Sequence, residues 1–466
     1  MAKAAAPSLL ATVLFCLAVP LQAQDDARDL LWRVRQSVLQ TVEGMPRYVC
    51  TLTIDRARYQ PDSSRFVPDN GKHHVHSCDS LAAEVNGPGW KRQLTSSDRL
   101  RLDVAVTHSR PGVDSEMYSW AGADRFSNED LFQLVHDGAM STGSFSSMLA
   151  SIFGGEAANF SYNGDRTTIG GRLLAEFGFR VPLDKSRYSY VVGANQARQV
   201  AIEYGGTILA DPATSDLVRL VVRASHLPEE SSSCEITQSL DYRRITLNGG
   251  EFFLPSEARI ISLHTDGTQA ENVIHYSACH EFRGDSTVQY RREPDTGTTK
   301  AADTASTPDL ALPAGLPFRL VFTERIDTSE AAAGDPIQAK LKTPIRDRNH
   351  ILVPEGAVVK MRIVNVRHFY GPLRVPGSDG GAQRASLTMK VKLESVQFGG
   401  RSYPIKARSD SGVSQFVQIP GTMARRVEVG GADRLENSDE GVFDFFDPNP
   451  NRIVTSGLES SWLTAK

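Results

Sequence analysis

The chain has 466 residues, with 51 Lys and Arg against 55 Asp and Glu and a formal net charge of −4 at pH 7. This near balance excludes a protein that recruits nucleic acid or an anionic membrane through a strong positive field. At about 150 residues per domain, the length predicts two or three domains, each large enough for its own core.

The N-terminus has the pattern of a secretory signal peptide. Lys3 precedes an apolar run from Leu9 to Val19, and Ala23 offers a small residue for cleavage. The run is shorter than the ~20 residues that span a bilayer. We therefore expect a signal peptide over residues 1–23, a mature protein in the periplasm or outside the cell, and no transmembrane segment after cleavage.

Hydrophobic periodicity predicts a helix followed by strands. Leu30, Val34, Val38 and Val42 recur every four residues before Gly44, as in an amphipathic helix. From residue 47 the period changes to two. The segments YVCTLTIDRARY and DRLRLDVAVTH therefore read as half-buried strands, each mainly apolar on one face.

Further strand patterns follow without long helices between them: RLLAEFGFRV, RYSYVV, QVAIEY, DLVRLVVRAS, CEITQSLDYRRITL, EARIISLH and ENVIHYSACHEF. Turn residues such as Asp211–Pro212 and Asn248–Gly249 separate them, which indicates short antiparallel connections. Two short helices, ending before Gly138 and Gly154, are expected to interrupt the sheet. Residues 24–291 are thus predicted to form a helix packed on a curved antiparallel sheet, a half-open barrel.

The composition changes near the middle of the chain. Residues 292–313 are rich in Thr, Ala, Asp and Pro, which predicts a linker. Strand patterns return in FRLVFTERI, PIQAKLKTPI, AVVKMRIVNVRHF and RASLTMKVKLESVQF, so residues 314–466 are expected to form a second, small β-barrel domain. The predicted fold class is mainly β, of the α+β type, in two independently folding domains.

The mature chain would keep four cysteines, Cys50, Cys78, Cys234 and Cys279. An even number in an oxidising compartment predicts two disulfides. Three pairings are possible. Sequence order favours Cys50 with Cys78 and Cys234 with Cys279, because each pair falls in one compact stretch of chain.

The segment HHVHSC is the sharpest candidate for a metal site. Strand alternation would place His74, His76 and Cys78 on one face, a donor set suited to Zn²⁺ or Cu⁺. A disulfide at Cys78 would remove the thiolate and leave the two histidines in a solvated segment. Since the disulfide is favoured, we expect neither a metal nor another cofactor.

No motif names a reaction, because the chain has no nucleophile elbow, zinc-protease, phosphate-loop or dinucleotide signature. No catalytic residue is therefore assigned. Aromatic residues such as Tyr118, Trp120, Phe177 and Tyr188 are strung along the predicted sheet, where they form either plain core or the lining of a concave apolar cavity. The expected function is binding or scaffolding; the alternative is an envelope hydrolase or metal-dependent enzyme whose site no motif reveals.

The order of an N-terminal helix and a long antiparallel meander, with the unit GGTILADPATSDLVRLVVRA, resembles the half-barrels of periplasmic lipoprotein carriers and of an envelope-stress sensor. Gly334–Asp335 and Pro354–Glu355–Gly356, each before a strand, resemble the periplasmic barrel of a type IV secretion channel component. The first resemblance implies that the N-terminal domain cradles an apolar or lipidic ligand or an extended peptide. The second implies that the C-terminal domain docks to an envelope protein.

Overall fold

The computed structural model describes two regions, the first over residues 19–282 and the second over residues 312–465. The described residues are 19–61, 77–110, 112–123, 126, 131–135, 140, 145–169, 172–192, 198–225, 227–282, 312–371, 386–410, 414–417, 425–429, 440–445, 453–454 and 456–465. The predicted linker, apart from its last two residues, lies outside these ranges. Among the described residues, no helix combines the length and the apolar character needed to cross a bilayer.

The helices and strands of the first region largely follow the predicted periodicity. Its helices are α1 (Val19–Gly44), α2 (Cys78–Val85), α3 (Leu131–Leu134) and α4 (Ser146–Phe153). Its strands are β1 (Tyr48–Pro61), β2 (Arg92–Arg110), β3 (Val113–Trp120), β4 (Asn159–Ile169), β5 (Arg172–Val181), β6 (Ser189–Val192), β7 (Arg198–Ala201), β8 (Tyr204–Ala210), β9 (Leu217–Ala224), β10 (Ser233–Leu247), β11 (Gly250–His264) and β12 (Gln269–Glu281).

Ten of these strands form one antiparallel sheet in the order β3–β2–β1–β12–β11–β10–β9–β8–β5–β4. Laid flat, such a sheet would be ~43 Å wide. Yet α4, which is only ~12 Å long, contacts both edge strands: Asp114 of β3 bonds to Ser147, and Phe160 of β4 packs on Phe153. The sheet therefore curls into a trough, and α4 spans the gap between its edges.

The second region contains strands only, among the residues described. They are β13 (Pro317–Phe322), β14 (Ile326–Asp327), β15 (Pro336–Leu341), β16 (Ile345–Asp347), β17 (His350–Val353), β18 (Val358–Phe369), β19 (Leu387–Phe398), β20 (Arg401–Pro404), β21 (Ala407–Ser409), β22 (Ser414–Val417), β23 (Arg425–Val429), β24 (Glu440–Phe445), β25 (Ile453–Val454) and β26 (Glu459–Thr464). The main run pairs as β21–β26–β13–β15–β18–β19–β24–β23–β22. The mainly β class is confirmed, but the described strands do not close into the expected barrel.

Main-chain hydrogen bonds join the two regions, a contact that the sequence did not predict. β18 pairs with the start of β2, and Ala333 donates to the Arg99 carbonyl at 2.8 Å and accepts from the Arg101 amide at 2.7 Å. Gly334 follows with a φ of 108°, and a Cβ there would lie 2.1 Å from the Arg101 carbonyl oxygen. The Gly334–Asp335 motif is therefore part of the joint between the regions.

The predicted disulfide pairing is wrong. Cys50 is bonded to Cys279 and Cys78 to Cys234, so one bridge lies within the loop closed by the other. The reason is topological. β1 and β12, the first and last strands of this region in chain order, are neighbours in the sheet, and Cys50 faces a bulge of β12 that contains Cys279. Sequence proximity could not reveal a pairing across 229 residues.

Candidate functional site

The inner face of the first sheet, which α1 and α4 cover, is built from rows of side chains that follow the strand registers. The middle row is apolar and buried throughout. It consists of Leu100, Ile54, Ile274, Ala258, Leu240, Leu220, Ile208 and Phe177. We call this face the trough.

The two ends of the trough are polar in different ways. At one end, the next row on the same face, two residues along each strand from the middle row, contains the buried residues Arg56, Asn272 and Gln238. Arg56 there forms a bidentate ion pair with Asp98, at 2.5 and 2.8 Å. The opposite end, which we call the phenolic end, contains the buried tyrosines Tyr48, Tyr118, Tyr242 and Tyr276.

Helices α1 and α4, which together we call the cover, fill the trough with their side chains. Val34 and Val38 of α1 are 0% exposed, and Leu149, Ile152 and Phe153 of α4 are at most 1% exposed. The helical stripe predicted from the sequence is thus confirmed as the face that packs on the sheet.

Phe145, the residue before α4, closes the phenolic end. Its ring lies edge-on to Tyr48 and Tyr276, with centroid distances of 5.9 and 5.7 Å. The Tyr118 hydroxyl donates a hydrogen bond to Glu116 at 2.6 Å. The hydroxyl oxygens of Tyr48 and Tyr242 are buried without a hydrogen-bond partner among the described residues.

The tyrosines of the phenolic end remain protonated. Burial raises the pKa of Tyr48 well above its usual value, and the nearby carboxylates of Asp114 and Glu116 raise it further. Burial also raises the pKa values of Tyr242 and Tyr276. Each hydroxyl can therefore donate one hydrogen bond and accept others.

A buried ion pair fastens the cover to the sheet. The Asp114 carboxylate accepts hydrogen bonds from the Ser146 hydroxyl, from the Ser147 amide at 2.8 Å and from His108 Nδ1 at 2.8 Å. His108 Nε2 donates to the Pro46 carbonyl at 3.2 Å. Both partners of the imidazole are acceptors, so the protonated ring, which carries a proton on each nitrogen, satisfies both of them. This contact ties β2 and β3 to the start of α4 and to the segment after α1.

The pKa shifts of the pair agree with this assignment. The hydrogen bond to Asp114 raises the pKa of His108 above 6.5, although partial burial works against it. Burial alone would raise the pKa of Asp114, but the hydrogen bonds from His108, Ser146 and Ser147 outweigh it and hold that pKa below 3.8.

The same residues do not form a hydrolytic triad, although serine, histidine and aspartate lie together. In such a triad the serine hydroxyl bonds to the histidine, which removes its proton. Here the Ser146 hydroxyl donates to Asp114, and the far nitrogen of His108 faces the Pro46 carbonyl. The arrangement activates no nucleophile and serves as a structural clasp.

A separate cavity of about 310 Å³ lies at the joint between the two regions. Its charged groups are paired: Arg99 with Asp55 at 2.5 Å, and Glu271 with Arg92 at 2.7 Å. The hydroxyls of Tyr370 and Ser97 lie 3.1 Å apart.

The candidate metal site at His74, His76 and Cys78, which the sequence did not favour, lacks one of its donors. The Cys78 sulfur is bonded to Cys234 and is therefore not a thiolate ligand. Cys78 also begins α2, with Ser77 as its cap, and does not end a strand as expected. His74 and His76 lie outside the described residues.

Sequence reasoning missed the groups that distinguish the trough. Tyr242, Tyr276 and His108 were not singled out, because each looks like an ordinary residue of a predicted strand. The available signal was the two-residue period of a strand, which places Tyr276 on the same face as Ile274 and Tyr242 on the same face as Leu240. This period reveals which face a tyrosine occupies, but not whether its hydroxyl has a hydrogen-bond partner there.

No protein-family model matches the chain, and no curated protein matches it. Among solved structures, the chain is similar to a domain described as an outer-membrane lipoprotein-sorting protein from Vibrio parahaemolyticus, with 10% identity, a TM-score of 0.25 and coverage of 53% of this chain and 89% of that one. It is also similar to a LolA-superfamily protein from Nitrosomonas europaea, with 10% identity, a TM-score of 0.22 and coverage of 53% and 93%.

Proposed function

We propose that the first region is a binding protein for an apolar or lipidic chain, which enters the trough when α4 moves away from it. The observation that carries this proposal is the gap between β3 and β4. Contacts of one eight-residue helix span the gap, and no pairing joins these two strands in the part of the chain that the structure describes. Opening the gap therefore breaks no pairing between described strands, and it exposes the part of the apolar face on which α4 packs.

The cover is suited to movement because α4 depends on tertiary contacts. Isolated helices shorter than about 12–15 residues are marginal in water. The contacts that hold α4 in place include the clasp at His108 and Asp114, and a hydrogen bond from Arg35 to the Gly155 carbonyl, 2.5 Å long. Loss of a few such contacts would release the helix while the disulfide-linked sheet remains folded.

Gly112 offers a way to test the movement. It has a φ of 72°, and a Cβ there would lie 2.4 Å from the Cβ of Ala150 in α4. Gly112→Ala should therefore push α4 outward. Gly249→Ala is the matched control, because Gly249 has a φ of 82° and nothing within 4 Å of its added Cβ.

The experiment measures binding of the neutral fluorophore N-phenyl-1-naphthylamine to the mature full-length protein and its displacement by a fatty acid. We expect saturable binding, several-fold tighter for Gly112→Ala and unchanged for Gly249→Ala. Ala258→Phe should weaken binding, because Ala258 is 1% exposed in the middle row. If no apolar chain binds any of these proteins saturably, the first region is a filled scaffold and the proposal is wrong.

In this proposal the protein works in the periplasm or outside the cell, where disulfides such as Cys50–Cys279 and Cys78–Cys234 persist. The second region contacts the end of the trough that contains the Arg56–Asp98 ion pair. Arg367 of β18 donates to Asp98 at 3.1 Å, beside the Arg56 pair. Docking of the second region to an envelope protein stays a prediction.

A further inference from the structure

The phenolic end buries two tyrosine hydroxyls for which the described residues supply no hydrogen-bond partner. Tyr48 is 0% exposed and Tyr242 7% exposed, and neither hydroxyl has a hydrogen-bond partner among the described residues. A buried hydroxyl in this state loses its bonds to water without replacement. Phenylalanine would keep the ring packing and avoid that loss. Packing therefore does not explain these hydroxyls.

The hydroxyls lie where a ligand would arrive. Phe145 packs on Tyr48 and Tyr276 and directly precedes α4. Tyr242 belongs to the same buried hydrophobic cluster as Tyr48, Tyr276 and Phe145. When α4 moves, Phe145 moves with it and leaves an apolar recess that contains phenol groups.

The charge around this recess opposes an anion. Burial raises the pKa of Tyr48, and the carboxylates of Asp114 and Glu116 raise it further. The charge of Asp114 is offset by its partner His108, whereas Glu116 accepts a hydrogen bond from the neutral Tyr118 hydroxyl and keeps its negative charge at the recess. The field that opposes a phenolate there also opposes the carboxylate of a fatty acid or a phosphate. A neutral group that donates and accepts hydrogen bonds meets no such repulsion.

We propose that the hydroxyls of Tyr48 and Tyr242 bind the polar end of the ligand, and that this end is a neutral hydrogen-bonding group, such as an alcohol, ester or amide on an alkyl chain. The inference rests on the function proposed above and names the class of its ligand. The middle row of the trough holds the alkyl chain, and the place of Phe145 is taken by the polar end.

The test compares dodecanol, dodecanamide and dodecanoate as competitors of N-phenyl-1-naphthylamine on the mature full-length protein. We expect the two neutral ligands to bind about tenfold more tightly than the carboxylate, since one hydrogen bond contributes roughly that factor. Tyr48→Phe and Tyr242→Phe should each remove most of this preference and leave dodecanoate binding unchanged. Tyr204→Phe is the control, because the Tyr204 hydroxyl lies 2.9 Å from that of Ser151; it should keep the preference.

Thermal unfolding of the free protein gives a second readout. Tyr48→Phe and Tyr242→Phe should raise Tm by ~2 °C, because each removes an unsatisfied hydroxyl, whereas Tyr204→Phe should lower it. Any of three results would overturn the inference: equal binding of alcohol and carboxylate, an unchanged preference in both variants, or a lowered Tm in both. The proposed binding of an alkyl chain would still stand in each case. If none of the three ligands binds, the proposed function fails as well.

Discussion

Removal of the His108 imidazole tests whether the clasp holds the cover. His108→Ala deletes two charge-assisted hydrogen bonds and leaves the Asp114 carboxylate, 1% exposed, with only its Ser146 and Ser147 donors. Breaking a buried hydrogen-bonded pair costs more than breaking an exposed one, because the remaining charge stays desolvated. We expect the free energy of unfolding to fall by about 2–4 kcal/mol at pH 5.5.

The loss should depend on pH in a defined direction. The pKa of folded His108 is raised above 6.5, so its stabilising contribution is fully present below pH 6.5 and disappears as the pH rises through the folded value. The pKa of Asp114 is lowered from 3.8, so Asp114 stays ionised at pH 5.5 and above. The difference between wild type and His108→Ala should therefore shrink by on the order of 1 kcal/mol between pH 5.5 and pH 9.

Urea unfolding at both pH values, with the disulfides intact, measures this difference. His275→Ala is the control, because His275 pairs with Glu257 at 3.5 Å with side chains 49% and 45% exposed. An exposed pair of that kind contributes about 0–1 kcal/mol. A pH-independent loss at His108, or an equal loss at His275, would refute the reasoning. Faster hydrogen exchange of the α4 amides in His108→Ala would show that the cover is the part released.

Three further outcomes follow from the packing. Gly334→Ala should loosen the joint between the regions and speed proteolysis between them, since its Cβ would lie 2.1 Å from a carbonyl oxygen. Gly356→Ala is the control and should leave proteolysis unchanged, because Gly356 has a φ of 83° and nothing within 4 Å of its added Cβ. Leu102→Ala, at a position 0% exposed, should lower the free energy of unfolding by about 2–5 kcal/mol in the urea titration. Peptide mapping without reduction should recover Cys50 with Cys279 and Cys78 with Cys234; a peptide joining Cys50 to Cys78 would contradict the strand order.

The sequence by itself determined the local elements, because their signals lie within a few residues. The stripe of α1, the alternating faces of β1 and β2, the short helix α4 and the turn at Asp211 between β8 and β9 all follow from periodicity and turn chemistry. The prediction that α1 covers an apolar face of the sheet is also confirmed, since a helix with one apolar stripe must bury it.

Only the tertiary structure decided which distant elements meet. The pairing of β1 with β12 sets the disulfides, and the curl of the sheet brings β3 and β4 to the two ends of α4. The joint at Gly334 depends on a backbone approach between residues more than 200 positions apart in the chain. Periodicity carries no information about such partners, because it reports a residue's face and not its neighbour.

At the clasp and the phenolic end, too, the sequence determined the face of each residue and the tertiary structure decided its partners. The strand pattern places Tyr48 and Tyr242 on inward faces, but an inward tyrosine is ordinary when its hydroxyl has a partner. Whether a partner exists depends on atoms contributed by β3, β10, β12 and the segment before α4. Among the described residues, the clasp and the buried phenol groups therefore arise only when the strands curl around them.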